Sequence, residues 1–212
     1  MLGDYGAVTV LSGDTGHLTY GKAQTTLASG NLFHLIRDYC DTPGAAHGSA
    51  LRAFLPRLEA CDTSLDHDAG LRVHLRAAGN DLVMRAVQDA FFDQRYWQPA
   101  LRSAAYIGAE TALGVAIVYD SRIHGSWHRK RDEVVAAHGR LADIGERSWM
   151  RAYVDHRRRW LAGHPNPVLH PTVYRMEAFQ QLMDEGSWAL ALPLTVRGRE
   201  IDELSLGLAQ AA

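Results

Sequence analysis

The 212-residue chain lacks several features that would assign a class of protein directly. Its two cysteines, Cys40 and Cys61, fit no metal-ligand spacing, so they either pair in an oxidising compartment or are unrelated thiols. No apolar run approaches the roughly 20 residues that span a bilayer. The net charge of −2 gives no indication of a nucleic-acid partner or a membrane surface. With 47% hydrophobic residues, the composition is that of an ordinary globular protein.

Common catalytic motifs are missing as well. Among the 11 histidines, only His124 and His128 combine helical i, i+4 spacing with other candidate ligands nearby, and no HExxH exists. We therefore expect no metal. The absence of GxSxG disfavours a serine hydrolase. The absence of a P-loop or a GxGxxG after a strand disfavours nucleotide chemistry, so we expect no cofactor.

The start of the chain, "MLGDYGAV", shows no signal peptide. It leads directly into glycine-rich sequence of a folded type. From this segment alone, either the protein is cytosolic or its true N-terminus lies upstream of Met1.

A strong turn signal, "SGDTG", stands between two β-type runs, Ala7 to Leu11 and His17 to Gly21. We expect a hairpin that holds Asp14 at its tip or just before the second strand. Aspartate is often merely a turn-former, but Thr19, Tyr20 and Gln24 add polar side chains beside the bend. This stretch is therefore a candidate for half of an active site.

Beyond the hairpin the pattern is helical, so the sequence predicts a mainly α fold with a small β element. Spacings of three and four put one apolar face on a helix beginning near Asn31; its residues are Leu32, Leu35, Ile36 and Tyr39. Ser49 is a plausible cap of the next helix, which Pro56 should kink or split. A later helix, in "NDLVMRAVQDAFFDQRYW", is predicted to be capped by Asn80 or Asp81.

The second half of the chain is also mostly helical. The segment from Ala112 to Tyr119 is apolar on nearly every side, which is typical of a buried central helix. The basic run Arg157 to Arg159 is typical of a solvated helix face. Asp120 ends the apolar segment, and Arg175 is a plausible ion-pair partner for it. The C-terminus returns to β character around Arg197 and Gly198.

These residues resemble the glycoside hydrolase family 46 chitosanases. The first similar block is "GDTGHLTYGKAQTTLASGNLFHLIRDY", in which Asp14 is followed by Thr19 five residues later and Gly21 two residues after that. The second is "QDAFFDQRYWQPALRSAAYIGAETALGVAIVYDSRIHG", which carries the family's "YD....HG" pattern. A weaker likeness covers "FQQLMDEGSWALALPLTVRG". Together the blocks span most of the chain.

The resemblance implies a two-lobed, lysozyme-like fold and a single catalytic domain over residues 1–212, acting as a monomer on a polysaccharide. It also implies inverting hydrolysis of a β-1,4-linked amino-sugar polymer. On this basis Asp14 is the general base and Thr19 helps to hold the attacking water. Tyr20, Gln24 and His124 are candidate substrate-binding residues, and Asp120 and Arg175 form a supporting ion network.

The chain also departs from the family pattern. The family's general acid is a Glu on a helix about 18 residues before the base, which falls before Met1. We therefore expect the 212 residues to lack that helix and the acid, to be unstable and hydrolytically inactive, and still to bind glycan weakly in an open cleft. Gly16 also stands where an Arg is common.

Three functions follow from these observations. The first is a chitosanase, for which the substrate implies an extracellular, periplasmic or cell-wall location. The second is a peptidoglycan hydrolase of the same fold, since both polymers share a β-1,4 amino-sugar backbone. The third is an inactive glycan-binding module that has lost its acid.

Overall fold

A computed structural model of the protein describes residues 4–206 and 208. The chain forms two compact units, which divide between Arg95 and Tyr96. Most of the described residues are helical, and the strands are short. No helix among them is both long and apolar enough to cross a membrane.

The first unit begins with a three-stranded antiparallel sheet in the order β1-β2-β3. Each strand has only two residues: β1 (Val8–Thr9), β2 (Thr19–Tyr20) and β3 (Thr25–Thr26). Thr19 pairs with Thr9 on one side and with Thr26 on the other. The predicted hairpin around "SGDTG" is confirmed by the β1–β2 pair, and β3 is an addition to the prediction.

The described part of the first unit also contains five α-helices: α1 (Asn31–Asp41), α2 (Gly48–Arg52), α3 (Leu55–Glu59), α4 (Ala69–Ala78) and α5 (Leu82–Phe92). A 3₁₀ helix, Thr63–His67, precedes α4. The predicted apolar face of α1 is confirmed, because its buried residues are Leu32, Leu35, Ile36 and Tyr39.

The helix boundaries show where local signals succeed and fail. Pro56 lies in the first turn of α3, where its missing N–H costs nothing, so the predicted split is confirmed. Asp81 caps α5 by accepting a hydrogen bond from the Val83 amide, also as expected. The prediction for Ser49 is wrong, because it lies inside α2 and His47 occupies the cap position.

The chain enters the second unit through a π-helix, Asp93–Trp97. The α-helices that follow are α6 (Gln98–Ile107), α7 (Ala112–His124), α8 (Trp127–His138), α9 (Leu141–Ile144), α10 (Glu146–Ala162) and α11 (Tyr174–Asp184). A 3₁₀ helix, Pro167–Val173, precedes α11. The predicted C-terminal β structure is confirmed as an antiparallel pair, β4 (Leu194–Val196) and β5 (Arg199–Ile201).

The core of the second unit forms around α7 and α10. Leu113, Ile117 and Val118 of α7 are fully buried, as expected for the apolar segment. Beside them, Trp149 and Tyr153 of α10 stack with ring centroids 5.5 Å apart. Asp120 and His124 lie in the C-terminal half of the same helix, α7.

The basic run on α10 differs from the expectation. Arg159 is exposed, but Arg157 is fully buried, so the prediction of a solvated face is wrong for Arg157. The physical reason is the helical period: Arg157 follows Tyr153 by four residues and precedes Leu161 by four, and both neighbours belong to the buried face.

Candidate active site

Asp14 lies in the turn between β1 and β2, with its side chain exposed to solvent. Its amide donates to the Leu11 carbonyl at 3.1 Å, and its Oδ1 accepts from the Gly16 amide at 2.9 Å. A Cβ at Gly16 would stand 3.3 Å from Asp14 Oδ1 and 3.1 Å from Thr26 Cγ2. The absence of a side chain at residue 16 therefore leaves room for the carboxylate.

Asp66, on the 3₁₀ helix of the first unit, holds the residues that follow the turn. Its Oδ1 accepts from the Leu18 amide at 2.7 Å, and its Oδ2 lies 2.8 Å from His17 Nδ1. Since a carboxylate can only accept here, His17 donates from Nδ1. Asp66 itself is buried, and its hydrogen bond with the Leu18 amide is buried as well, whereas its contact with His17 is only partly buried.

Thr19 and Tyr20 on β2 are both buried. The Thr19 hydroxyl donates to the His17 carbonyl at 3.1 Å, which leaves its oxygen lone pairs for a water donor. Tyr20 is fully buried, and its hydroxyl donates to the Leu75 carbonyl at 2.9 Å. Burial raises the pKa of Tyr20. Tyr20 therefore belongs to the core, and the expectation that it contacts substrate is corrected.

Gln24 is exposed in the turn between β2 and β3, and its Nε2 donates to the Gly21 carbonyl at 2.9 Å. Gly21 has φ +78°, and a Cβ there would lie 2.3 Å from Gln88 Oε1. The same Gln88 oxygen accepts from the Lys22 amide at 3.0 Å. Glycine is thus required at residue 21 both by the positive φ of the backbone and by the close approach of the Gln88 side chain.

Asp120 and Arg175 form the predicted pair in the second unit, with Arg175 Nη2 donating to Asp120 Oδ1. The side chains are 13% and 29% exposed, so the pair is partly buried. Burial alone would lower the pKa of Arg175, but the hydrogen bond and charge of Asp120 outweigh it and leave that pKa raised. Arg175 is therefore held in its charged form.

His124 contacts the buried Arg157, whose Nη2 lies 3.0 Å from His124 Nδ1. Burial and the charges of Arg175 and Arg157 lower the pKa of His124 to about 4. The imidazole is consequently neutral near pH 7, and its Nδ1 accepts from Arg157.

The predicted residues fall into two groups, one in each unit. Asp14, Thr19, Tyr20 and Gln24 belong to the first unit, and Asp120, His124 and Arg175 belong to the second. Two further residues, Asp66 and Arg157, were not expected. Asp66 lies 48 residues from Leu18 along the chain, beyond the reach of a local pattern. Arg157 was detectable, since it follows the buried period of α10.

Comparison with known proteins identifies the family. The sequence model of glycosyl hydrolase family 46 matches residues 2–194. This chain belongs to glycosyl hydrolase family 46. It is 30% identical over 218 residues to a chitosanase of Bacillus subtilis (strain 168), covering 92% of this chain and 76% of that protein. The chain is therefore a glycoside hydrolase.

Solved structures of chitosanases share the fold of this chain. The Gynuella sunshinyii chitosanase in complex with chitotetraose has a TM-score of 0.78 and 27% identity, covering 95% of this chain and 89% of that one. A native chitosanase from Bacillus subtilis MY002 has a TM-score of 0.75 at 24% identity, covering 92% and 86%. The expected fold, mainly α with a small sheet and lysozyme-like, is confirmed.

Proposed function

We propose that this family 46 chain hydrolyses chitosan with inversion at the anomeric carbon, and that Asp14 is the general base. The relatives named above are chitosanases, which favours chitosan over the glycan strand of peptidoglycan. The observation that carries the role of Asp14 is its position: an exposed carboxylate on a turn whose following residues are held by a buried acid.

In the proposed reaction, Asp14 takes a proton from water as the water attacks the anomeric carbon. The bond between that carbon and the leaving oxygen breaks, and a general acid donates a proton to the oxygen. Inverting enzymes separate these two carboxyls by roughly 6.5–9.5 Å so that the water fits between them. Thr19 supports the step as a hydrogen-bond acceptor that orients the water.

The second unit contains charged residues that support this proposal. Arg175 donates to Asp120, and Arg157 donates to His124. The charges of both arginines and of Asp120 act on the pKa of His124, so two guanidinium groups and one carboxylate surround this ring. This small cluster therefore carries an excess of positive charge, which stabilises a further carboxylate nearby. We assign Asp120, Arg175 and Arg157 to an ion network that supports the general acid. His124 and Gln24 remain candidate substrate contacts.

The test compares Asp14→Asn with wild type in the whole protein. Loss of a general base lowers kcat on the order of 10²–10⁴-fold. Binding of chitohexaose should persist, since the amide keeps the shape of the side chain. Glu59→Gln, which removes an exposed acid from the same unit, is the matched control.

The same assay distinguishes the rival functions. Hydrolysis of peptidoglycan but not chitosan would replace the proposed substrate. Binding of chitohexaose without hydrolysis of either polymer would indicate a glycan-binding module. We also expect the protein to act as a monomer outside the cytoplasm, where such polymers occur.

A further inference from the structure

A second candidate site lies within the second unit, on α6, α7 and α8. A cavity of about 370 Å³ is lined there by Pro99, Arg102, Ser103, Tyr106, Arg122, His128 and Arg131. The lining contains three guanidinium groups and one imidazole, and it contains no carboxylate. None of these residues has a role in the proposed hydrolysis.

The arginines of the cavity are poorly compensated by acids. Among the ion pairs of the described residues, Arg131 pairs with Asp132 at 2.7 Å, whereas Arg102 and Arg122 take part in none. Asp132 is largely exposed, and it engages Arg131 through Nε and Nη2, leaving Nη1 directed to His128. The cavity therefore carries a local excess of positive charge.

His128 adds a second argument, based on hydrogen-bond donors. Arg122 Nη1 lies 3.0 Å from His128 Nε2, and Arg131 Nη1 lies 3.5 Å from His128 Nδ1. A neutral imidazole has one N–H and one acceptor nitrogen, so it can accept from only one of the two arginines. At the other nitrogen, two N–H groups face each other. An added acceptor would relieve this contact.

The donors come from three helices, which indicates the shape of the acceptor. Arg102 and Ser103 lie on α6, Arg122 on α7, and His128 and Arg131 on α8. A planar carboxylate has two oxygens and can serve donors from two directions. A phosphate or sulfate group has oxygens in a tetrahedral arrangement, and arginine forks match such oxyanions well.

We infer that this cavity binds a tetrahedral oxyanion of the phosphate class. Arg102 and Arg122 supply the uncompensated charge, and Arg131 and His128 supply further donors. The cavity volume falls within the range of small-molecule sites, so the phosphate can be free or can be part of a small ester. The inference is independent of the proposed function, because chitosan, a polymer of amines, has the wrong charge for this cavity.

The test is calorimetric titration of the whole-length protein with sodium phosphate, against sodium chloride at matched ionic strength to remove general screening. Arg102→Gln should weaken phosphate binding by about tenfold, the effect of losing one charge-assisted contact. Arg102 is exposed, so this variant should fold and keep wild-type chitosan hydrolysis. Arg199→Gln, an exposed arginine of β5 outside the cavity, is the control and should bind phosphate like wild type.

Two results would overturn the inference. The first is that phosphate binds no better than chloride. The second is that Arg102→Gln and the double variant Arg102→Gln/Arg122→Gln both bind phosphate with wild-type affinity. A second titration with glycerol 3-phosphate distinguishes the source of the ligand. Equal affinity for the ester and the ion indicates free phosphate, and tighter binding of the ester indicates a phosphate group on a larger molecule; either result supports the inference.

Discussion

The carboxylate of Asp66 accepts a hydrogen bond from the Leu18 amide at 2.7 Å, although the two residues are 48 positions apart. Leu18 and the neighbouring His17 connect the turn of Asp14 to Thr19. A single buried acid thus fixes the path of the chain between the proposed base and the proposed water-holding residue. We regard Asp66 as a positioning residue for the site.

Replacing Asp66 should therefore affect turnover more than substrate binding. Asp66→Asn keeps an acceptor for the Leu18 amide but can place its NH₂ group against His17 Nδ1. We expect kcat to fall roughly tenfold with KM little changed, because small displacements of a reacting group cost up to about 10² in rate. Asp66→Ala, which leaves the Leu18 amide unsatisfied, should also destabilise the fold by about 1–3 kcal/mol.

The measurement is steady-state kinetics on chitosan together with thermal unfolding. Asp41→Asn, an exposed acid of the same unit, serves as the control. Wild-type kcat in both Asp66 variants would show that the turn of Asp14 does not depend on this contact.

Removing one partner of the pair of Asp120 and Arg175 should destabilise the fold strongly. Asp120→Ala leaves a partly buried guanidinium without its acid, which typically costs about 3–5 kcal/mol. For a chain of this length that corresponds to a fall in Tm of roughly 6–20 °C. Asp184→Ala is the comparison, since its pair with Arg151 is far more exposed, at 68% and 49%.

Calorimetry of the two variants decides this prediction. The exposed pair should change the unfolding free energy by no more than about 1 kcal/mol. Equal losses of Tm in Asp120→Ala and Asp184→Ala would mean that burial of the Asp120 pair has no energetic consequence.

The lowered pKa of His124 predicts a pH dependence of stability. The ring titrates near its usual pKa of 6.5 in the unfolded chain and at about 4 in the folded protein. Between these values the unfolded chain binds more protons, so the free energy of unfolding falls as the pH drops through this window. After a discount for partial exposure, we expect a contribution on the order of 1–2 kcal/mol.

The measurement is the Tm of wild type and of His124→Asn at about pH 7 and at about pH 4.5. Most of the difference in proton binding between the unfolded and the folded ring develops between these two conditions. The variant should lose less Tm on acidification than wild type. His138→Asn, an exposed histidine of α8, should lose as much as wild type. An identical acid response in His124→Asn would contradict the lowered pKa of the partly buried ring.

The glycine at residue 21 can be tested against a matched glycine. Gly21 and Gly30 both have positive φ, at +78° and +72°, but only Gly21 has a crowding neighbour within 4 Å, the Gln88 side chain. Gly30→Ala should cost about 1–2 kcal/mol for the left-handed conformation alone. Gly21→Ala should cost a further 1–3 kcal/mol or so, because Gln88 must move. Urea unfolding of both variants measures the difference, and equal losses would show that Gln88 yields freely.

The sequence predicted the features that local chemistry determines. The apolar face of α1, the split at Pro56 and the hairpin around Asp14 all follow from spacing or turn residues. The Asp120–Arg175 pair followed from the cost of leaving an acid unpaired at the end of an apolar helix.

The remaining features depend on tertiary contacts. Asp66 reaches Leu18 only because the 3₁₀ helix packs beside β2, and no local pattern encodes that approach. Tyr20 was assigned to the substrate because its hydroxyl neighbours Asp14 in sequence, yet its strand directs that hydroxyl to the Leu75 carbonyl. The prediction of a solvated face is wrong for Arg157 because it rests on residue type, whereas the helical period places this residue on the buried face.

The central claim is that Asp14 activates the attacking water in an inverting reaction. Its most direct test is azide rescue of Asp14→Ala in the whole-length protein with chitohexaose as substrate. Azide is a nucleophile that needs no base, so it can attack the anomeric carbon in place of water while the general acid protonates the leaving oxygen. The account predicts that azide raises the rate and that NMR identifies the product as the α-glycosyl azide. A β-glycosyl azide, or hydrolysis by Asp14→Ala at the wild-type rate without azide, would contradict it.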